Sequence, residues 1–411
     1  MKKKPAKKLA GEKMRGKDAK VKDAKVKDAK ILRKDIEMAA QVEIYEGAVD
    51  RGLEGVVACT TGVSSIQDAT LTYRGYTIED LAAKSTFEEV VFLLWNDRRP
   101  STEELATLRK ELGANIALDP EFVKVLKMVP TKGVHPMAWL RTATSLLAHY
   151  DSEAQDMSDE ANKRKAIRLT AKMTTLVTAF DRIRNGKDVV APKADKSMAY
   201  NFFWTLTGTE PDADLVKDFD TCLILHADHE LNCSAFATRV TGSSLSDMHS
   251  AIVSAIGALK GPLHGGANEQ VIRMLQDIGT IEACKTWIAR ALENKEKVMG
   301  IGHRVYKNGD PRAKVLRAMS ERLTAKKGEP HLYTMSTMID DIMREKKDLL
   351  PNVDFYSATV YYSMGIPTDL FTPIFAASRV SGWLAHLFEQ YSNNRIYRPR
   401  GKWIGKTGLK Y

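Results

Sequence analysis

The sequence predicts a mainly α-helical fold, and three observations support this prediction. Apolar residues recur at spacings of three and four residues in several segments, which is the period of one buried face of a helix. Segments in which apolar and polar residues alternate are few. The breaks between helical segments are rich in glycine and proline, as at residues 261–262, 265–266 and 365–367. We therefore expect helices joined by loops that hold most of the chemically active side chains.

The length and composition are those of one large domain or two smaller ones. The chain has 411 residues, of which 44% are hydrophobic, and a chain of this size buries an extensive core. No apolar run approaches the roughly 20 residues that span a bilayer, and the N-terminus lacks the apolar stretch of a signal peptide. We expect a soluble protein without membrane contact. The four cysteines are widely spaced, which is typical of a reducing, cytoplasmic compartment.

The net charge of +10 is concentrated at the N-terminus. Residues 1–30 contain 13 lysines and arginines against 4 acidic residues, so this segment carries +9 and the rest of the chain is nearly neutral. Tandem pentads at residues 21–25 and 26–30, together with few apolar residues, predict a disordered tail over residues 1–33. Regular aspartates argue against a mitochondrial transit peptide. A basic arm that contacts RNA remains an alternative, but the neutral body has no nucleic-acid-binding module.

Three segments carry the helical pattern most clearly, at residues 86–94, 214–226 and 281–292. In each of them the apolar residues fall on a single face, which we expect to be buried. Asp212 or Asp214 is at the right distance to cap the second helix. The three apolar faces consist of Phe87, Val90, Val91 and Leu94, of Val216, Phe219, Cys222 and Leu223, and of Ile281, Cys284, Ile288 and Ala291.

The first candidate for catalysis is His264, which lies among glycines in the segment of residues 261–269. An apolar pattern through Val271, Leu275 and Ile278 follows, so the histidine lies near a helix start. Because the positive end of a helix disfavours an imidazolium, a neutral ring would be available to donate a hydrogen bond to a developing oxyanion. A turn histidine that is satisfied by backbone groups is an equal alternative.

The second candidate is His303, which follows Gly300 and Gly302 and is surrounded by cations. Glycines let backbone N–H groups come close to a ligand, and Arg312 offers a planar fork that suits a carboxylate. This segment therefore predicts an anion-binding site. A solvated basic loop is the alternative.

The third candidate is Asp354, which lies between Val353 and Phe355. Burial in such surroundings favours the protonated form, and it makes the carboxylate a stronger base. The alternative is structural, because either Asp354 or Asn352 is placed to cap the helix that follows.

Two further groups of residues are ambiguous when taken alone. Arginines gather toward the C-terminus, where Arg379 and Arg398 are the two of interest, although surface arginines are usually only solvated. His226 and His229 are three residues apart and would share a helical face, as metal ligands often do. Their segment lacks the His-Glu-x-x-His spacing and a third ligand, so we expect no metal.

Taken together and in this order, these segments resemble the citrate synthase family. The resemblance covers the chain from about residue 43 to residue 411. It also includes residues 52–56, 73–76, 135–137, 229–230 and the closing segment 398–400. The tail before Lys34 has no counterpart in the family.

The resemblance implies an almost all-helical homodimer, with two domains in each subunit that close over the substrates. The large domain would comprise residues 34–264 and 358–411. The small domain would be an insertion of residues 265–357. His264 and Asp354 would then lie near the edges of the hinge, with His303 inside the small domain.

The catalytic roles are also implied by the resemblance. His264 would polarise the thioester carbonyl of acetyl-CoA while Asp354 removes a methyl proton. His303 would polarise the ketone of oxaloacetate and protonate the new alkoxide. Hydrolysis of bound citryl-CoA would complete the reaction, with acetyl-CoA as substrate, CoA as product and no permanently bound cofactor.

The resemblance implies two sets of binding residues. The oxaloacetate set is His229, Arg312, Arg379 and Arg398, of which Arg398 would reach across from the partner subunit. The CoA set is Val298, Gly300, Gly302, Arg304, Lys307 and Lys314.

The predicted function is therefore that of a transferase that condenses acetyl-CoA with oxaloacetate and water to give citrate and CoA, a reaction of the tricarboxylic acid cycle. The nearest alternative is 2-methylcitrate synthesis from propionyl-CoA, because one methylene in an apolar pocket is worth only about 1 to 3 kcal/mol. Arg400 favours the citrate reaction. A nucleic-acid-binding protein that acts through its basic tail is an alternative of a different class.

Overall fold

The computed structural model describes residues 49–67, 69–303, 306 and 309–411. The predicted mainly helical fold is confirmed: these residues form sixteen α-helices and three short strands. The lysine-rich tail of residues 1–33, which was predicted to be disordered, lies outside the described residues. So do Arg304 and Lys307, two candidates for binding CoA.

The strands form one small antiparallel sheet near the start of the described chain. They are β1 (Ser64–Gln67), β2 (Thr70–Tyr73) and β3 (Tyr76–Thr77), in the order β1-β2-β3. Ser64 pairs with Tyr73, and both side chains are buried. The Tyr73 hydroxyl donates to the carbonyl oxygen of Asp228 at 2.9 Å, so the sheet braces the segment that leads to His229.

The helices vary in length from 7 to 26 residues. In chain order they are α1 (Ile78–Lys84), α2 (Phe87–Asn96), α3 (Thr102–Asn115), α4 (Pro120–Met128), α5 (Pro136–Leu147), α6 (Asp159–Arg184), α7 (Met198–Thr207), α8 (Ala213–His226), α9 (Cys233–Ser243), α10 (Met248–Leu259), α11 (Ala267–Ile278), α12 (Ile281–Glu293), α13 (Pro311–Lys327), α14 (His331–Lys347), α15 (Val353–Ser363) and α16 (Phe371–Ser392). Short 3₁₀ turns occur at Arg51–Leu53, Ala148–Tyr150 and Thr368–Leu370.

The three helices that the apolar pattern predicts are present as α2, α8 and α12. Their first turns are capped by side-chain oxygens of Thr86, Asp212 and Thr280, respectively. Of the two caps proposed for α8, Asp212 is the one that forms, since its Oδ1 accepts from the N–H groups of Asp214 and Leu215. Local capping chemistry therefore defines where these helices begin.

Helix α16 lies at the centre of one group of packed helices. It is buried along most of its length and contacts α2, α6, α8, α9 and α10. Arg379, one of the candidate site residues, is on this helix and is only 1% exposed. The burial of a guanidinium in the middle of the core requires compensating polar contacts.

Helices α11 to α15 form a second group, arranged around α15. Helix α15 contacts α11, α13 and α14, and its residues from Val353 to Tyr361 are buried. By compactness, Cys59–Tyr397 form one unit, and residues 49–58 with Arg398–Tyr411 form another. The division into a large domain (34–264 and 358–411) and a small domain (265–357) stays a prediction. Within the described part of the chain, no helix has the length and apolarity needed to cross a membrane.

Candidate active site

His264 lies in the turn between α10 and α11, where Ser234 holds one edge of its ring. The ring Nε2 is 2.8 Å from the Ser234 hydroxyl oxygen and accepts the backbone N–H of Ser234 at 3.3 Å. The hydroxyl oxygen accepts from Nε1–H of Trp383 and also lies 2.7 Å from Oδ1 of Asn232, so its single proton can go to either Nε2 or Oδ1. Because Nε2 is an acceptor, the neutral ring carries its proton on Nδ1. His264 is thus a neutral hydrogen-bond donor in a held orientation.

The neutrality of His264 has a different main cause from the predicted one. Burial, and to a lesser extent the charge of Arg379, lower the pKa of His264 to about 4. Helix α11 begins only at Ala267, so the ring lies before the first turn rather than in it. The expectation of a neutral imidazole agrees with this pKa, and burial accounts for most of it.

His303 is held by the backbone of its own loop. Its Nδ1 accepts the N–H of Tyr306 at 3.2 Å, which leaves the proton of the neutral ring on Nε2. Burial lowers the pKa of His303 to about 4, with a further contribution from the charge of Arg312. The ring is therefore an uncharged donor at neutral pH, like that of His264.

His229 adjoins His303, so the structure brings these two predicted site residues together. Their ring centroids are 5.3 Å apart. His229 is buried, and its Nε2 lies 3.1 Å from the hydroxyl of Tyr306. Burial, and then the positive charges of Arg312 and Arg379, hold the pKa of His229 well below its ordinary value. A pair of neutral imidazoles thus lies close to two guanidinium groups.

Arg312 is buried in the first turn of α13, where Asp310 binds it in bidentate geometry. Its Nε and Nη2 donate to Oδ1 and Oδ2 of Asp310 at 2.9 and 2.7 Å. Asp310 is also the N-cap of α13 and accepts the N–H of Val353 at 3.0 Å. The alternative of a solvated basic loop does not hold for Arg312, whose side chain is 2% exposed.

Arg379 has an unused donor inside the protein. Its Nε donates to the carbonyl oxygen of His226 at 2.6 Å, but its buried Nη2 has no hydrogen-bond partner among the described residues. Burial lowers the pKa of Arg379 to about 10, although the nearby carboxylate of Asp228 opposes this shift. An unpaired buried donor is costly, and a carboxylate is the ligand that would best satisfy it.

Asp354 lies in the first turn of α15 with a carboxylate that is not used for capping. The cap is Asn352, whose Oδ1 accepts the N–H of Asp354 at 3.0 Å. Asp354 is 7% exposed, and its Oδ1 has no hydrogen-bond partner in the described part of the chain. The structural alternative for Asp354 is therefore wrong, since the other candidate, Asn352, caps the helix.

The pKa of Asp354 is raised to about 7, chiefly by burial. The positive charges of Arg312 and Arg379 oppose this shift, while the negative charge of Asp310 adds to it. A carboxylate with a pKa near neutrality is a much stronger base than a solvated one and is still partly ionised at pH 7.

The loop before His303 is tied to the loop before α15. The N–H of Gly302 donates to the carbonyl oxygen of Leu350 at 2.8 Å, and the N–H of Asn352 donates to that of Gly300 at 2.9 Å. Gly300 has a φ of 75°, and a Cβ there would lie 2.9 Å from Cα of Phe355. Only glycine fits this close approach without a shift of the backbone.

The remaining predicted site residues lie in different surroundings. Val298 is 4% exposed, whereas Lys314 is exposed on α13. Arg398 is exposed in the separate unit formed by residues 49–58 and Arg398–Tyr411. The helical face that would bring His226 and His229 together does not form, because α8 ends at His226. In the described ranges, no cluster of three or more His, Cys, Asp or Glu side chains is suited to a metal ion.

Four supporting residues are not assigned by the sequence argument: Ser234, Tyr306, Asp310 and Asn352. Asp310 has a recognisable signal, since Asp-Pro at 310–311 is a typical N-cap followed by proline in the first turn. Asn352 is noted only as a possible cap. Ser234 gives no local signal, because its contact with His264 spans 30 residues. Tyr306 is three residues from His303, but the contact of its hydroxyl with His229 spans 77 residues.

Comparison with known proteins gives consistent results. Residues 52–400 match the family model described as citrate synthase, C-terminal domain. Citrate synthase 2 of Bacillus subtilis is 56% identical over 361 residues, which cover 88% of this chain and 97% of that protein. 2-Methylcitrate synthase 1 of Corynebacterium glutamicum is 38% identical over 368 residues, which cover 88% of this chain and 96% of that protein.

A solved structure is similar over the same extent. It is the citrate synthase of the thermophilic archaeon Thermoplasma acidophilum in a ternary complex with carboxymethyl coenzyme A and oxaloacetate. The two chains are 31% identical and superpose with a TM-score of 0.84, over 89% of this chain and 98% of that one. The family match includes the whole segment from His229 to Arg379.

Proposed function

The chain belongs to the citrate synthase family and is an acyltransferase that forms citrate, and we propose that it does so by condensing acetyl-CoA with oxaloacetate through His264, His303 and Asp354. The observation that carries this proposal is the buried carboxylate of Asp354, which has an unpartnered oxygen and a pKa of about 7. A buried carboxylate with these properties is suited to accept a proton from a bound substrate.

The first step is enolisation of acetyl-CoA. Asp354 removes a methyl proton, and Nδ1–H of His264 donates to the thioester oxygen on which negative charge develops. A neutral donor is suited to this task because it stabilises the oxyanion and is not itself a strong enough acid to protonate it fully. Ser234 supports the step by holding Nε2 as an acceptor.

The second step is carbon–carbon bond formation. The enolate carbon attacks the ketone of oxaloacetate, whose oxygen accepts a hydrogen bond from Nε2–H of His303. The same group then protonates the new alkoxide, which gives citryl-CoA. The deprotonated ring recovers its proton from the water that hydrolyses this thioester, the proton held by Asp354 passes to the CoA thiolate, and citrate and CoA leave.

The two carboxylates of oxaloacetate require cationic donors. Arg379 supplies a buried Nη2 that lacks a partner. Asp310 occupies the Nε and Nη2 edge of Arg312, so a further carboxylate would bind it through Nη1. We assign His229 as an additional donor, and Arg398 of the partner subunit of a homodimer as the remaining cation.

For CoA, we propose contacts from residues 298–302 and from Arg304, Lys307 and Lys314. CoA enters and leaves with each turnover, and no permanently bound cofactor is required by these steps. The complex of the Thermoplasma acidophilum enzyme with a CoA derivative and oxaloacetate supports this choice of ligands. The widely spaced cysteines, all free, support a reducing, cytoplasmic compartment, and membership of the citrate synthase family supports a role in the tricarboxylic acid cycle.

Steady-state kinetics with two acyl donors test this assignment. With oxaloacetate fixed at saturation, acetyl-CoA should give a higher kcat/KM than propionyl-CoA. The higher identity to Citrate synthase 2 of Bacillus subtilis than to a 2-methylcitrate synthase, 56% against 38%, supports this expectation. A higher kcat/KM for propionyl-CoA would instead establish 2-methylcitrate synthesis as the main activity.

A further inference from the structure

Asn352 makes hydrogen bonds to the segments of two proposed catalytic residues at once. Its side-chain Oδ1 accepts the N–H of Asp354 at 3.0 Å. Its side-chain Nδ2 donates to the carbonyl oxygen of Gly302, the residue directly before His303, at 2.9 Å. One amide group therefore spans the start of α15 and the His303 loop.

The two ends of this amide have different requirements. The contact with Asp354 needs only an acceptor, as Asn, Asp and Ser all provide at an N-cap. The contact with Gly302 needs a donor at the far end of the side chain. Among residues of this size only asparagine has both an acceptor and a donor there. Ordinary helix capping thus accounts for one of the two bonds and leaves the other unexplained.

The bond from Asn352 to Gly302 adds a side-chain contact to two backbone hydrogen bonds that join the same two segments. The N–H of Gly302 donates to Leu350, and the N–H of Asn352 donates to Gly300. Ile301 and Pro351 form an antiparallel bridge between the same two segments. The side-chain bond is the one nearest to His303 along the chain, because the carbonyl group of Gly302 directly precedes His303.

We propose that Asn352 is a positioning residue that holds the His303 ring in register with the Asp354 carboxylate. This inference rests on the proposed function, in which the two residues act on adjoining carbon atoms of the two substrates. A displacement of about 1 Å in such a pair costs roughly 100-fold in rate. The amide of Asn352 limits that displacement because it joins the two segments directly.

Asn352→Ser separates the two contacts. Serine keeps the cap on α15 but is too short to reach Gly302, so the melting temperature should change little. We expect kcat to fall by about 10- to 100-fold, with a much smaller change in the KM for oxaloacetate. Asn352→Thr, an uncharged N-cap residue that also lacks the donor, decides the question if the serine variant is unstable.

The carbonyl stretch of bound oxaloacetate is the readout that a merely structural role would not move. In the wild-type protein, polarisation by His303 should lower the frequency of the keto band relative to free oxaloacetate. In both Asn352 variants the band should move back toward the free frequency although His303 is unchanged. Infrared difference spectra with oxaloacetate labelled at the keto carbon measure this shift.

Thr280→Ala is the matched control for loss of a cap. Thr280 caps α12 through the N–H of Ala283 at 3.2 Å, and it forms no hydrogen bond with a proposed site residue that the structure describes. This variant should lose stability without a change in kcat or in the keto band. The comparison separates a loss of helix stability from a loss of positioning.

The outcomes distinguish this inference from the proposed function. If the wild-type protein forms citrate and lowers the keto frequency, the function stands and the Asn352 variants are informative. Wild-type kcat in the serine or threonine variant, or a reduced kcat with an unshifted keto band, would overturn the positioning role. If the wild-type protein neither forms citrate nor shifts the band, the proposed function fails first.

Discussion

At His264 and His303, a backbone N–H determines which ring nitrogen carries the proton. Ser234 donates to Nε2 of His264, and Tyr306 donates to Nδ1 of His303. The proton is therefore on Nδ1 in the first ring and on Nε2 in the second. Because burial lowers the pKa of each to about 4, both rings are neutral donors throughout the physiological range.

Asp354 shows the opposite response to the same burial. Desolvation favours the uncharged form of every titratable group, so it lowers the pKa of a histidine and raises that of a carboxyl group. The arginines of the site oppose the rise at Asp354, which leaves its pKa at about 7. The site therefore combines neutral donors with a base of moderate strength.

The pKa of Asp354 predicts the pH profile of the reaction. The carboxylate is the active form and is lost by protonation as the pH falls through about 7. We expect log kcat/KM for acetyl-CoA to rise with a slope of about one below that pH and to level off above it, since this parameter reports the free enzyme. His264 and His303 should add no further slope to the profile between pH 5 and 9, because the pKa of each is about 4.

The same pH profile can also contradict this assignment. A kcat/KM that stays level down to pH 5 would mean that the base has an ordinary carboxyl pKa or that another group performs the step. A differential-scanning measurement across the same range is the control, since it separates protonation of the base from acid unfolding.

Among the secondary-structure elements, the starts of α13 and α15 are joined by one carboxylate. Asp310 binds Arg312 within α13 and accepts the N–H of Val353, the first residue of α15. The cation proposed to bind oxaloacetate and the base proposed to enolise acetyl-CoA are thereby attached to the same group. A shift of either helix would disturb both.

A Gly300→Ala substitution tests the close approach of the His303 loop to α15. Alanine at this position would adopt a left-handed φ, which costs about 1 to 2 kcal/mol, and its Cβ would lie 2.9 Å from Cα of Phe355. Since Phe355 follows Asp354, the backbone shift should reach the base. We expect Gly300→Ala to lower the melting temperature and to reduce kcat at least about tenfold.

Gly328→Ala is the control for this substitution. Gly328 has a similar φ of 81°, but a Cβ there would meet nothing within 4 Å. Gly328→Ala should therefore lower the melting temperature only by the cost of the left-handed backbone and leave kcat unchanged. Equal effects of the two variants on stability, together with a normal kcat for Gly300→Ala, would contradict the close approach to α15.

The elements also show what local sequence predicts. Helices α2, α8 and α12 follow from apolar spacing and capping residues, because both are properties of neighbouring residues. The choice between Asp212 and Asp214, or between Asn352 and Asp354, does not follow, since both members of each pair are near enough to the helix start. The pairing of residues 300–302 with 350–352 has no local signal at all.

In the molecule as a whole, the site draws on residues from His229 to Arg379, which lie on separate helices and loops. Spacing in the sequence identified His264, His303 and Asp354 as unusual, but it gave no reason for them to meet. The family resemblance supplied that reason. Burial, which sets all three pKa values, depends on the packed helices around α15 and α16 and is not visible in any one segment.

The large-domain and small-domain boundaries and the role of Arg398 in a partner subunit stay predictions. Both concern relations between parts of the chain, or between chains, which single segments do not encode. The disorder of the lysine-rich tail of residues 1–33 is also a prediction. Its charge of +9 over 30 residues is a property of composition alone.

The turnover of Asp354→Asn tests the central claim most directly. Asparagine keeps the shape of the side chain and removes the base, so kcat should fall by about 10²- to 10⁴-fold, while calorimetry should show oxaloacetate binding little changed. The melting temperature should not drop, because Asn352 and not Asp354 caps α15. A variant with near-normal turnover would contradict the account, since Asp354 would then not be the group that removes the proton.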